Sequence, residues 1–187
     1  MTNRKLHPVP SWLAMKHVAA ALALAMVAAC GTAKAEDRVN AQDVMFVQMM
    51  VPHNHQGIEM VRIGSERATN QQLKTMAKAV GTTQQDEVEA MLRWLHEWGQ
   101  PLQAPQGAHA HHGGMPETDR RQIAALKTSR HFERDFINLL VAHQDDAVQM
   151  AAAELYGGAN PTVKDYARRV QESRKAEIQQ LLAMLKQ

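Results

Sequence analysis

The sequence predicts an all-α protein, a four-helix bundle built from two tandem helical hairpins. Three observations predict it. Aromatic residues are 4% of the chain, and Ala, Leu, Met, Gln and Glu outnumber β-branched residues, which favours helix over sheet. Residues 46–97 align without a gap on 136–187 at an offset of 90 positions. Within each copy, apolar and small residues recur at the 4-3-4-3 spacing of one helix face. The 187 residues leave room for one domain of ordinary core, and a single Cys excludes a disulfide scaffold.

The first 35 residues read as an export signal. Val18 to Val27 is an apolar run preceded by basic residues and too short to span a bilayer. Two exits follow it. Val27-Ala28-Ala29-Cys30 resembles a lipobox that would place a lipid on Cys30, giving a membrane-anchored protein. Ala33-Lys34-Ala35 suits ordinary cleavage after residue 35. Met15 is an alternative start. Either exit puts the mature chain in the bacterial envelope or periplasm. The formal charge of +2 then disappears: without Arg4, Lys5 and Lys16, 18 basic residues face 19 acidic ones. No basic patch for nucleic acid remains.

The first hairpin is expected over 40–98. Phe46, Met50, His53, Gly57, Met60 and Gly64 mark the buried face of its first helix, and Thr69-Asn70 starts the second, with Leu73, Met76, Val80, Val88, Met91 and Leu95 inward. Pro52 predicts a kink or bulge beside His53, since it lacks an N–H and crowds the Gln48 carbonyl. Residues 99–117, rich in Pro, Gly and His, form the linker. The second hairpin, 118–187, repeats the face as Phe136, Leu140, His143, Ala147, Met150 and Glu154. Gly157-Gly158 is the expected C-cap and Asn160-Pro161 the next start. Val163, Tyr166, Val170, Ile178, Leu181 and Leu185 are its counterpart stripe. Two such hairpins close into a bundle.

His53 and His143 carry the functional expectation, because the offset places one in each half at the same position. A core-facing imidazole needs partners for its nitrogens. Glu87 and Glu177, also matched across the halves, are the expected acceptors. On one reading these are buried His–Glu pairs that set the register of the bundle. On the other, thioethers join in. Met49 and Met50 precede His53 by one turn, Met60 follows by two turns, and Met150 follows His143 likewise. Thioether plus imidazole is a soft ligand set that selects Cu(I) or Ag(I). His55 is a further candidate on the same helix. His109, His111, His112 and Met115 in the linker form a second, looser metal candidate. No organic cofactor is expected.

Catalytic patterns are missing. No Glu has His three residues later, as di-iron bundles require, and there is no H-E-x-x-H, G-x-S-x-G or Walker loop. A binding protein rather than an enzyme is expected, and Met-rich amphipathic helices also allow a homodimer.

Phe46-Val-Gln-Met-Met-Val-Pro-His53-Asn-His-Gln-Gly-Ile-Glu-Met60 resembles the signature of the domain of unknown function 305 family, Phe-x-x-x-Met-Ile-x-His-His-x-x-Ala-Ile-x-Met. Phe136-Ile-Asn-Leu-Leu-Val-Ala-His143-Gln-Asp-Asp-Ala-Val-Gln-Met150 resembles it again. The family's downstream Gln-x-x-Glu-Ile is met by Gln84 to Val88 and by Lys175 to Ile178. The resemblance spans about 42 to 187 and implies a ferritin-like four-helix bundle, usually exported, with some relatives associated with periplasmic copper. Carry-over reaches Met50, His53, Met60, His143 and Met150. The family's second histidine is Asn54 in one copy and Gln144 in the other, and His55 stands one position late. The expected function is therefore an envelope protein that binds, buffers or confers tolerance to copper. The alternative is a metal-free structural or interaction bundle.

Overall fold

The computed structural model describes residues 38–104 and 120–186; the expected export signal, with Cys30, lies outside them. The described residues form five helices and no strand: α1 (Ala41–Arg67), α2 (Gln71–Glu97), α3 (Arg120–Leu126), α4 (Phe132–Gly157) and α5 (Pro161–Met184). Helices α1 and α2 pair as one hairpin, α4 and α5 as another, and α1 packs on α4. None of these helices is long and apolar enough to cross a membrane.

Local chemistry sets most boundaries. Asn40 opens α1 through a capping box with Asp43, accepting from its N–H at 3.0 Å and donating its own N–H to the carboxylate at 2.6 Å. Asn70 and Asn160 cap α2 and α5, and Pro161 occupies the first turn, where its missing N–H costs nothing. Gly99, at φ +62°, closes α2: Gln100 N–H reaches the Leu95 carbonyl at 2.8 Å.

Helix α1 runs on through Pro52. Gly158 is the C-cap of α4, as expected, with an extended backbone (φ −68°, ψ 152°) and its N–H on the Glu154 carbonyl. Its lack of a Cβ matters for closeness: a Cβ there would lie 2.7 Å from the Glu154 carbonyl oxygen. The second hairpin is also preceded by α3, a short helix the sequence reading leaves out. Its Ile123 and Leu126 are buried, and Arg67 of α1 holds the following turn through the carbonyls of Leu126 and Ser129 while lying 4.4 Å from the Phe132 ring centroid.

Helices α1 and α4 run antiparallel. Asn40, preceding α1, donates to the carbonyl of Gly157 at the end of α4, and Gly64 near the end of α1 lies on the Phe136 ring near the start of α4. This stacking divides the apolar core into two clusters. One gathers Phe46, Met49, Met50, Val88, Met91, Leu95, Met150, Tyr166 and Val170. The other gathers Met60, Leu73, Ala77, Val80, Phe136, Leu140 and Leu181. Each fully buried Leu, Phe or Met contributes about 1.5–3 kcal/mol. Between the two clusters lies a belt of polar side chains.

Candidate metal centre

The belt is built by both hairpins. His53 on α1 and His143 on α4 are buried at 1% and 0% exposure, with Asn54 and Gln144 buried beside them. The two imidazoles stack with centroids 3.8 Å apart and planes 2° from parallel. Gly57 allows this close approach. A Cβ there would lie 2.2 Å from Gln84 Oε1 and 2.5 Å from His143 Nε2.

Charge enters through α2 and α5. Arg174, 1% exposed, donates to Glu87 at 2.7 Å and to Glu177 at 3.3 Å. Asn54 donates its amide to Glu87 at 2.9 Å, and Gln144 donates to Glu177. The acceptors expected for the imidazoles are thus engaged by the amides one position further on, and by a guanidinium that links α5 to α2. Burial pushes both carboxyls above their ordinary range, and Arg174 pulls them back. Burial, then the neighbouring His53 and Arg174, holds His143 well below the ordinary imidazole value. Tyr166, buried against Glu87, has its phenol pushed well above the ordinary range by burial and by that charge.

A neutral imidazole offers a nitrogen lone pair in the plane of its ring. Because the two rings are parallel, their lone pairs lie in two parallel planes and do not converge on one ion between them. The thioethers are also divided. Met49, Met50 and Met150 share the cluster on one side of the histidines, whereas Met60 belongs to the other. His55 is exposed, on the opposite side of α1 from His53. His109, His111, His112 and Met115 lie outside the described residues. Among the described residues, no three of His, Cys, Asp and Glu gather as a metal cluster.

Sequence reasoning meets Gln84 only as part of the family pattern and misses Arg174. Both sit where the apolar stripe of their helix is interrupted, between Val80 and Val88 and between Val170 and Leu181, and they are themselves 90 positions apart. A polar residue at an inward position was the available signal.

The fold and belt define a helical bundle with a buried, paired-histidine core. The chain belongs to the family described as Domain of unknown function (DUF305), which matches residues 43–185. Solved structures are similar to it. A DUF305 fragment from Deinococcus radiodurans is 27% identical, covering 79% of this chain and 97% of that one, with a TM-score of 0.69. A DUF305 protein from Streptomyces coelicolor, described as secreted, is 25% identical over 78% of this chain and 92% of that one, with a TM-score of 0.72. CopM in its Cu(II)-bound form is 28% identical over 77% of this chain and 95% of that one, with a TM-score of 0.67. CopM is also similar in Cu(I)-bound and Ag-bound forms. No curated protein matches the chain significantly.

Proposed function

We propose that this is an exported envelope protein that binds copper as Cu(I), for buffering or tolerance, and is not an enzyme. The observation that carries the reading is the sulfur-rich flank of His53. There α1 supplies Met49 and Met50 one turn before the imidazole, and α4 brings Met150 into the same cluster. Thioethers with an imidazole nitrogen suit a soft monovalent ion. The likeness to CopM in copper-bound and silver-bound forms supports the same reading. Met60 belongs to the other apolar cluster and would, with His143, serve a second, poorer set. The linker histidines would capture ions loosely, and Cys30, if lipidated, would tether the bundle to a membrane.

Anaerobic chelator competition tests this. Binding of one Cu(I) that is weakened at least tenfold by His53→Ala supports it. Unchanged affinity in that variant overturns it.

The second reading has its own observation: parallel stacked rings and engaged carboxylates describe a polar belt that fixes helix register without any ion. On that reading the melting midpoint is insensitive to Cu(I) and Ag(I).

A further inference from the structure

We propose that Arg174, fixed between Glu87 and Glu177, sets the charge of the ion that the bundle accepts, favouring a monovalent soft cation over a divalent one. This rests on the copper reading above and extends it from ligand type to ion charge.

Ligand softness alone does not decide between ions of different charge in a buried site; the fixed charge around it does. Three charged side chains surround the histidine pair. Glu87 holds the amide of Asn54, the neighbour of His53, and Glu177 holds the amide of Gln144, the neighbour of His143. Arg174 bridges the two carboxylates and is itself 1% exposed. With neutral imidazoles and thioethers, the group carries one net negative charge. A monovalent ion brings the core to neutrality, whereas a divalent ion leaves a buried positive charge beside a guanidinium. The position matched to Arg174 in the first hairpin is Gln84, which is uncharged and equally buried. With both carboxyls ionised, one arginine therefore separates a site of net −1 from one of net −2.

The Coulomb term scales with the product of ion and site charge, so a change in site charge moves a divalent ion twice as far in log affinity as a monovalent one. The experiment measures the dependence of the melting midpoint on Ag(I) and on Zn(II) concentration, which gives affinities for the folded state. The full chain is compared with Arg174→Gln, Glu177→Gln and the double variant Arg174→Gln/Glu177→Gln. The linker histidines are identical throughout, so differences report the bundle. Arg174→Gln should tighten Ag(I) on the order of tenfold and Zn(II) on the order of a hundredfold. Glu177→Gln should weaken both, Zn(II) more. The double variant restores net −1 and should return both ions to near the parent values.

Should Arg174→Gln fail to fold, the remaining pair still spans net charges of 0 and −1. Equal factors for the two ions across the series, or no change at all, overturn the proposal and leave Arg174 a structural strut. If Ag(I) does not raise the parent's midpoint, or still raises it fully in His53→Ala, the copper reading itself fails and this inference falls with it.

Discussion

Asp43 and Glu133, ninety residues apart, make the same contact in opposite hairpins. Asp43 on α1 accepts from the N–H groups of Ala159 and Asn160 at 3.0 and 2.9 Å, where α5 begins. Glu133 on α4 accepts from those of Thr69 and Asn70 at 2.8 and 2.7 Å, where α2 begins. Each hairpin thereby closes the turn of the other, and the bundle is locked at both ends around the central histidines.

The two locks differ in burial, and this predicts different costs. Asp43 is fully buried, so Asp43→Ala strands buried N–H groups and should cost about 2 kcal/mol or more. Glu133 is half-exposed, water replaces part of its contact, and Glu133→Ala should cost about 1 kcal/mol. Urea unfolding of the two variants checks the order.

Glu154 predicts a loss of stability as pH rises from 4.5 to 8. Burial, followed by the adjacent Asp43, pushes its carboxyl from an ordinary 4.5 to about 8. Between those values the folded chain holds a proton that the unfolded chain has lost, so rising pH removes stability. Relative to the parent, Glu154→Gln should gain with a slope of up to about 1.4 kcal/mol per pH unit from pH 4.5 to 8, then level off. Denaturant midpoints across that range measure it.

His143 works in the opposite direction. Its folded pKa lies well below 6.5, so below pH 6.5 the unfolded chain takes up a proton that the folded core refuses. The metal-free parent should therefore lose stability as pH falls through this range. His143→Gln should lose less, and the difference between the two should widen from pH 6.5 downward in thermal melts.

Gly57 predicts a steric effect. A methyl group there would strike the Gln84 amide and the His143 ring, so Gly57→Ala should cost about 1–3 kcal/mol despite alanine's higher helix propensity. It should also disturb the imidazole stack. Urea unfolding measures the first effect, and histidine ring resonances in NMR spectra report the second.

Much of this was legible in the sequence. The burial of Phe46, Met50, His53, Gly57, Met60 and Gly64 follows the spacing of α1, and Asn70 and Asn160 cap where their side chains predicted. Helix α3 was not legible, because seven residues are too few to display a period. The stacking of His53 on His143 was hidden as well: matched positions reveal equivalence, whereas ring contact depends on how α1 crosses α4. Glu87 and Glu177 were placed in the right belt, but the choice between an imidazole and the amide next to it lies in side-chain geometry. The assignment of Met60 to the same ligand set as Met50 followed helical facing alone. It did not anticipate that the polar belt would fall between them.

The central claim, that a soft ion sits among the thioethers beside His53, is tested most directly by X-ray absorption at the copper edge of the Cu(I)-loaded protein. The parent should show sulfur scatterers together with imidazole nitrogen, and Met50→Leu/Met150→Leu should lose sulfur scattering. A shell of nitrogen and oxygen alone, unchanged in that variant, would contradict the account and place the ion elsewhere.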